Sequence, residues 1–121
     1  MPEKEPVMDQ RASVKQKYTE WIDSARRGKI QLEKSLKIQE VLLERMKDMR
    51  EECEGLLKIL GVNPILAEDN AVLAQTMKDK IVVFKKDEAE TRLEIEYTRK
   101  LIQEGEEIIA DLESGRVSME E

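Results

Sequence analysis

No histidine occurs anywhere in these 121 residues. That absence removes the imidazole general base, the His-activated nucleophile and the Glu-x-x-His pairs with which helical bundles hold di-iron centres, and most zinc chemistry goes with them. Cysteine is nearly as scarce. Cys53 stands alone, so no intrachain disulfide can form, and a reducing compartment, cytoplasmic or nuclear, is the expectation. Aromatics amount to 3% of the chain, which suits neither a thick globular core nor the stacking platform of a single-strand nucleic-acid binder. No apolar run approaches the roughly 20 residues that span a bilayer. The opening "MPEKEPVMDQ" has acidic residues and lacks the apolar stretch of a secretory signal. No glycine-rich phosphate loop is present. The expectation is a non-enzymatic protein that needs no cofactor and no metal.

Charge is what the chain has in abundance. Charged residues make up 40% of it, with 21 Lys and Arg against 27 Asp and Glu, a composition of long solvated helices that argues against general nucleic-acid or membrane binding. Apolar residues recur at alternating spacings of three and four. Tyr18, Ile22, Ala25, Leu32, Leu36, Leu43, Met46, Cys53, Leu57 and Leu60 form one such seam. Ala67, Ala74, Ile81, Ile95, Ile102 and Ile109 form a second row, with Met77, Phe84 and Leu112 as its companions. The pattern predicts an all-α fold. Its parts are a disordered tail over 1–8, helix one over about 9–60, a turn at 61–63, helix two over about 64–113 and a disordered tail over 114–121. Within "LKILGVNPILAED", residues 57–69, Gly61 is expected to close helix one in the left-handed conformation, and Asn63 with Pro64 to start helix two.

Helices of similar length joined by so short a turn predict a long antiparallel, coiled-coil-like hairpin. With the turn centred near residue 62, residues 11–37 (eight basic, three acidic) lie beside 87–113 (three basic, ten acidic). Opposite signs meet, which selects orientation more than it adds stability. The competing arrangement is one continuous rod through residue 62. Both helices also carry apolar residues beside the seam, including Trp21, Leu42, Met49, Leu56, Leu93, Tyr97 and Ile108, and two helices in contact cover only one stripe on each. The hairpin is therefore expected to complete a bundle by oligomerising.

Candidate contact residues follow from that surplus. Tyr18 and Trp21 are either seam residues or partner-facing anchors, since Trp and Tyr dominate interface hot spots. Met46, Met49 and Met77 flank the turn, where methionine either fills gaps or adapts to a partner. Val62 and Ile65 sit at the tip, which is either a plain turn or a docking point. Arg26, Arg27 and Lys29 begin a basic stretch that faces either the acidic second helix or an external anionic surface. Lys78, Lys80, Lys85 and Lys86 form a smaller basic cluster. Cys53, with acidic neighbours where a reactive thiol wants basic ones, reads as a packed small hydrophobe. Glu40 with Glu44, and Glu104 with Glu107, read as solvated helix surface, and Ser118 stands before acidic residues as a candidate phosphorylation site.

The turn "NPILAE", residues 63–68, is similar to one in small synaptonemal-complex central-element proteins, whose two helices are joined in the same way. The architecture also resembles small helical subunits of kinetochore and organelle-tethering complexes and a helical tubulin-folding cofactor. These resemblances imply a protein partner and assign no residue a role. The leading expectation is an interaction module, a scaffold or adaptor subunit of a larger coiled-coil assembly, homodimeric in isolation and heteromeric in the cell. The alternative is a small helical chaperone or cofactor holding a client subunit such as tubulin.

Overall fold

The computed structural model describes residues 4–62 and 64–115, with side chains for 15–62, 65 and 68–115. The fold is an all-α antiparallel hairpin, with no strand among the described residues. Helix α1 runs Lys4–Val62, a short α2 runs Pro64–Asp69, and α3 runs Ala71–Ser114. Expected boundaries and observed ones differ in three places, each for a backbone reason.

Helix α1 begins at Lys4, ahead of the expected start at residue 9. Pro6 lies in its first turn, where amides have no intrahelical acceptor and a missing N–H costs nothing. At the other end α1 continues through Gly61 to Val62, so the expected left-handed closure at Gly61 does not occur. The proline at 64 supplies a sufficient stop, because it disfavours helical conformation in the residue before it. Asn63 itself lies outside the described residues, as do Ser118 and the rest of 116–121.

The expected single second helix is split. Pro64 opens α2, where its fixed φ suits a first turn, but the helix lasts six residues and a new one starts after Asn70. The Ala74 amide donates to the Asn70 carbonyl at 2.9 Å, which makes Asn70 the N-cap of α3, a position asparagine favours. Ala67 therefore belongs to the connector, and the seam of α3 starts at Ala74. At the far end Gly115 has φ 73°, the left-handed conformation that ends α3, and its amide donates to the Leu112 carbonyl at 3.3 Å.

Two compact units divide the chain. Residues 36–97 form one, in which the later part of α1 pairs antiparallel with the earlier part of α3. Its core is Cys53, Leu60, Met77 and Ile95, all buried, with Leu43, Met46, Leu57, Ala74, Ile81 and Phe84 half-buried around them. The other unit combines the described parts of 1–35 and 98–121. Here Leu112 is buried, and Tyr18, Ile22, Ala25, Leu32, Leu101, Ile102 and Ile109 are half-buried. The expected seams are thus the inward faces of both helices.

The register is not the expected one. Within the unit 36–97, Arg50 of α1 bonds Glu88 of α3, and the residue midway between them is Asp69, not Val62. Within the other unit Lys29 pairs with Glu106 at 3.3 Å and Arg26 pairs with Glu113. The six residues of α2 and Asn70 lie between the two seams, so pairing is displaced toward the C-terminus by about two heptads.

Two glycines test these backbone assignments against each other. Gly61 is helical and a Cβ there meets open space, so Gly61→Ala should raise unfolding stability by about 0.5–1 kcal/mol. Gly115→Ala should lower it by about 1 kcal/mol, because alanine resists positive φ. Urea unfolding of both variants followed by circular dichroism checks the pair of signs.

Candidate functional site

Each seam contains polar interruptions that a purely apolar pattern would not. In α1 the seven-residue rows pass through Lys29, Gln39 and Arg50; in α3 they pass through Glu88, Thr91 and Thr98. Glu88 is the most enclosed of these, 1% exposed, in the row position between Ile81 and Ile95. Arg50, between Leu43 and Leu57 in its own row, meets it two-handed. Its Nε donates to Glu88 Oε2 at 2.6 Å and its Nη2 to Oε1 at 3.2 Å, the fork geometry that suits guanidinium and carboxylate. A third bond runs from Nη1 to Glu54 Oε1 at 2.9 Å, and Arg92 stands 3.7 Å from Glu88. Hydrogen bonds to Glu88 first and Glu54 second hold the Arg50 guanidinium even further above its ordinary high pKa. One turn away, Thr91 Oγ1 donates weakly to Met46 Sδ at 3.7 Å.

Both oxygens of Glu88 are thereby occupied by Arg50. The arrangement is suited to holding two helices in one register, and its chemistry ends there. Charge at 88 and 50 broke the apolar rows, and a row read for hydrophobicity alone passes over both. The signal that finds them is opposite charge at buried heptad positions of facing helices. Gln39 and Tyr18 are looser seam members: Gln39 Oε1 and the Tyr18 hydroxyl are buried without a hydrogen-bond partner among the described residues.

The candidate contact residues fall into separate places. Met77 is core and Met46 half-buried against Thr91, so both face inward, whereas Met49 is on the outside. Tyr18 is half-buried, its ring 6.5 Å from that of the half-exposed Trp21 and tilted 42° to it. Val62 and Ile65 are both well exposed, on either side of the break. Arg26 and Lys29 are engaged by Glu113 and Glu106 of α3, while Arg27 is exposed. Lys78, Lys80, Lys85 and Lys86 are exposed on α3.

Within the unit 36–97, the outer side of α1 carries the densest set of exposed apolar side chains. Leu42, Met49 and Leu56 recur every seven residues there, with Ile38, Val41 and Ile59 alongside. A shallow depression on this face is lined by Val41, Glu44, Arg45, Asp48, Met49 and Glu52, all from α1. No described helix is long and apolar enough to cross a membrane. Comparison of the chain with family models, with curated proteins and with solved structures gave no match.

The buried pair has a signature in mutagenesis. Arg50→Met leaves the Glu88 carboxylate enclosed without its fork, and Glu88→Leu strands the guanidinium, so each lowers the thermal midpoint. The double variant replaces both charges by apolar groups of similar length and should melt above either single variant. Thermal scans of all three check this non-additivity; a double variant that melts at the sum of both losses contradicts it.

Proposed function

We propose that this chain is a non-enzymatic protein–protein interaction module, a helical scaffold or adaptor subunit that contributes α1 and α3 to a larger helical assembly. The observation that carries the reading is the outer apolar row of α1. Leu42, Met49 and Leu56 are 46%, 42% and 47% exposed at seven-residue spacing, and Ile38, Val41 and Ile59 beside them are more exposed still. Single exposed apolar residues are commonplace, but a contiguous row at heptad spacing is the form of a helix that meets another helix. The row begins about 110° around α1 from the internal seam, the angular relation of a bundle helix with two neighbours. High surface charge keeps such a subunit soluble until its partners cover the row. A chromosome-associated, cytoskeletal or organelle-tethering complex in the cytoplasm or nucleus is the setting that fits these features.

The test is a pair of affinity purifications. The tagged parent chain should recover one or more helical chains in stoichiometric amount. Leu42→Ser/Leu56→Ser should lose them while keeping its helical content, because exposed positions of this kind change stability by less than about 1 kcal/mol. A tagged parent chain that recovers neither another helical chain nor an untagged second copy of itself, or a double variant that keeps every partner, overturns the reading.

A further inference from the structure

We propose that the unit 36–97 pairs with a second copy of itself along the outer face of α1, antiparallel, with the two-fold axis at Met49. This rests on the interaction-module reading and narrows it to one partner and one geometry. Ile38, Leu42, Arg45, Met49, Glu52, Leu56 and Ile59 follow one another at alternating spacings of four and three, and all seven are exposed. They form a second heptad seam, sharing no residue with the internal one. It is about 32 Å long at 1.5 Å per residue. The preceding positions in the same register, Gln31 and Ser35, are polar, and α1 ends three residues after Ile59, so the seam has defined ends.

The order of residues along this seam reads the same in chemical kind from either end, except at one pair. From the N-terminal side it is Ile, Leu, Arg, Met, Glu, Leu, Ile. A two-fold rotation at Met49 brings Ile38 against Ile59 and Leu42 against Leu56 of the other copy, and it brings Arg45 against Glu52. The one asymmetric pair is thus the one whose members attract. A parallel pairing would set Arg45 against Arg45 and Glu52 against Glu52, and like charges at an interface cost enough to select against it. Neither Arg45 nor Glu52 has an ion-pair partner within the chain among the described residues, whereas Arg26, Lys29 and Arg50 do. Isologous two-fold contact is the commonest form of self-assembly and requires this kind of self-complementarity.

The charges make the test. Light scattering during size-exclusion chromatography should give the full parent chain twice its 14.1 kDa mass at high micromolar concentration, with dissociation on dilution. Arg45→Glu should weaken the dimer by about tenfold or more, because it creates two like-charge contacts per dimer. Adding Glu52→Arg to that variant should restore affinity to near the parent value. Oxidation of Met49→Cys in a Cys53→Ala background should give a reducible interchain cross-link, a readout independent of how the charge variants fold. Equal dimerisation by parent and Arg45→Glu would mean the copies do not run antiparallel here and overturns the proposal. So does failure of the cross-link. A parent chain that stays monomeric yet recovers other helical chains in stoichiometric amount overturns self-pairing and leaves the interaction-module reading standing.

Discussion

The bidentate contact between Arg50 and Glu88 is the constraint on which the pairing of α1 with α3 in the unit 36–97 depends. A heptad seam is periodic, so sliding one helix past another by a whole number of heptads restores nearly every apolar contact. With a turn at residue 62, Arg50 would stand opposite Ala74, which occupies the same row of α3 as Glu88 two heptads earlier. Hydrophobic burial barely distinguishes the two. An enclosed carboxylate does, because Glu88 without Arg50 would be a charge removed from water with no fork to receive it. The pair therefore acts chiefly as a penalty on every other register, and its net contribution to stability is a separate and smaller matter. Glu54 and Arg92 extend it into a small network that fixes the guanidinium plane.

The connector is the local counterpart of that long-range constraint. Pro64 and Asn70 bracket α2, and the Asn70 carbonyl takes the first bond of α3 from Ala74. A six-residue helix between two long ones shifts the start of pairing to Leu60 and Met77, both buried. Ion pairs elsewhere are of another kind. Arg26 with Glu113 and Lys29 with Glu106 are largely exposed, so they bias orientation by sign and contribute at most about 1 kcal/mol each.

Much of this was legible in the sequence, for reasons that also explain what was not. Residues 18 to 60 and 74 to 112 name the inward faces because burial imposes the seven-residue period directly. Gly115 is where a left-handed residue stops α3, as Ser114 followed by glycine implies. Gly61 looked equivalent, yet it remains helical, since glycine permits positive φ without requiring it. Register escaped because periodicity is blind to whole-heptad slips, and Asn70 escaped because one capping residue inside an apolar repeat is a weak signal. Glu88 is the instructive case. Its charge marks it as an exception to the seam, and the exception is what specifies the structure. The outer row of Leu42, Met49 and Leu56 was visible as a widened face, but only the exposure of Arg45 and Glu52 between them turns it into a second seam.

Register decides which residues of α1 and α3 meet in the unit 36–97, and a disulfide reports it most directly. In a Cys53→Ala background, Met46→Cys with Thr91→Cys puts two thiols at facing seam positions, whose native side chains meet with Met46 Sδ 3.7 Å from Thr91 Oγ1. A disulfide requires Cα atoms within about 7 Å, so a slip of even one heptad prevents it. Oxidation should convert this variant to an intrachain-bridged species of unchanged mass class, while Met46→Cys with Met77→Cys, the seam pairing two heptads earlier that a turn at residue 62 would give, should stay reduced. Bridging of the 46/77 pair and not of the 46/91 pair would contradict the register that Arg50 and Glu88 define.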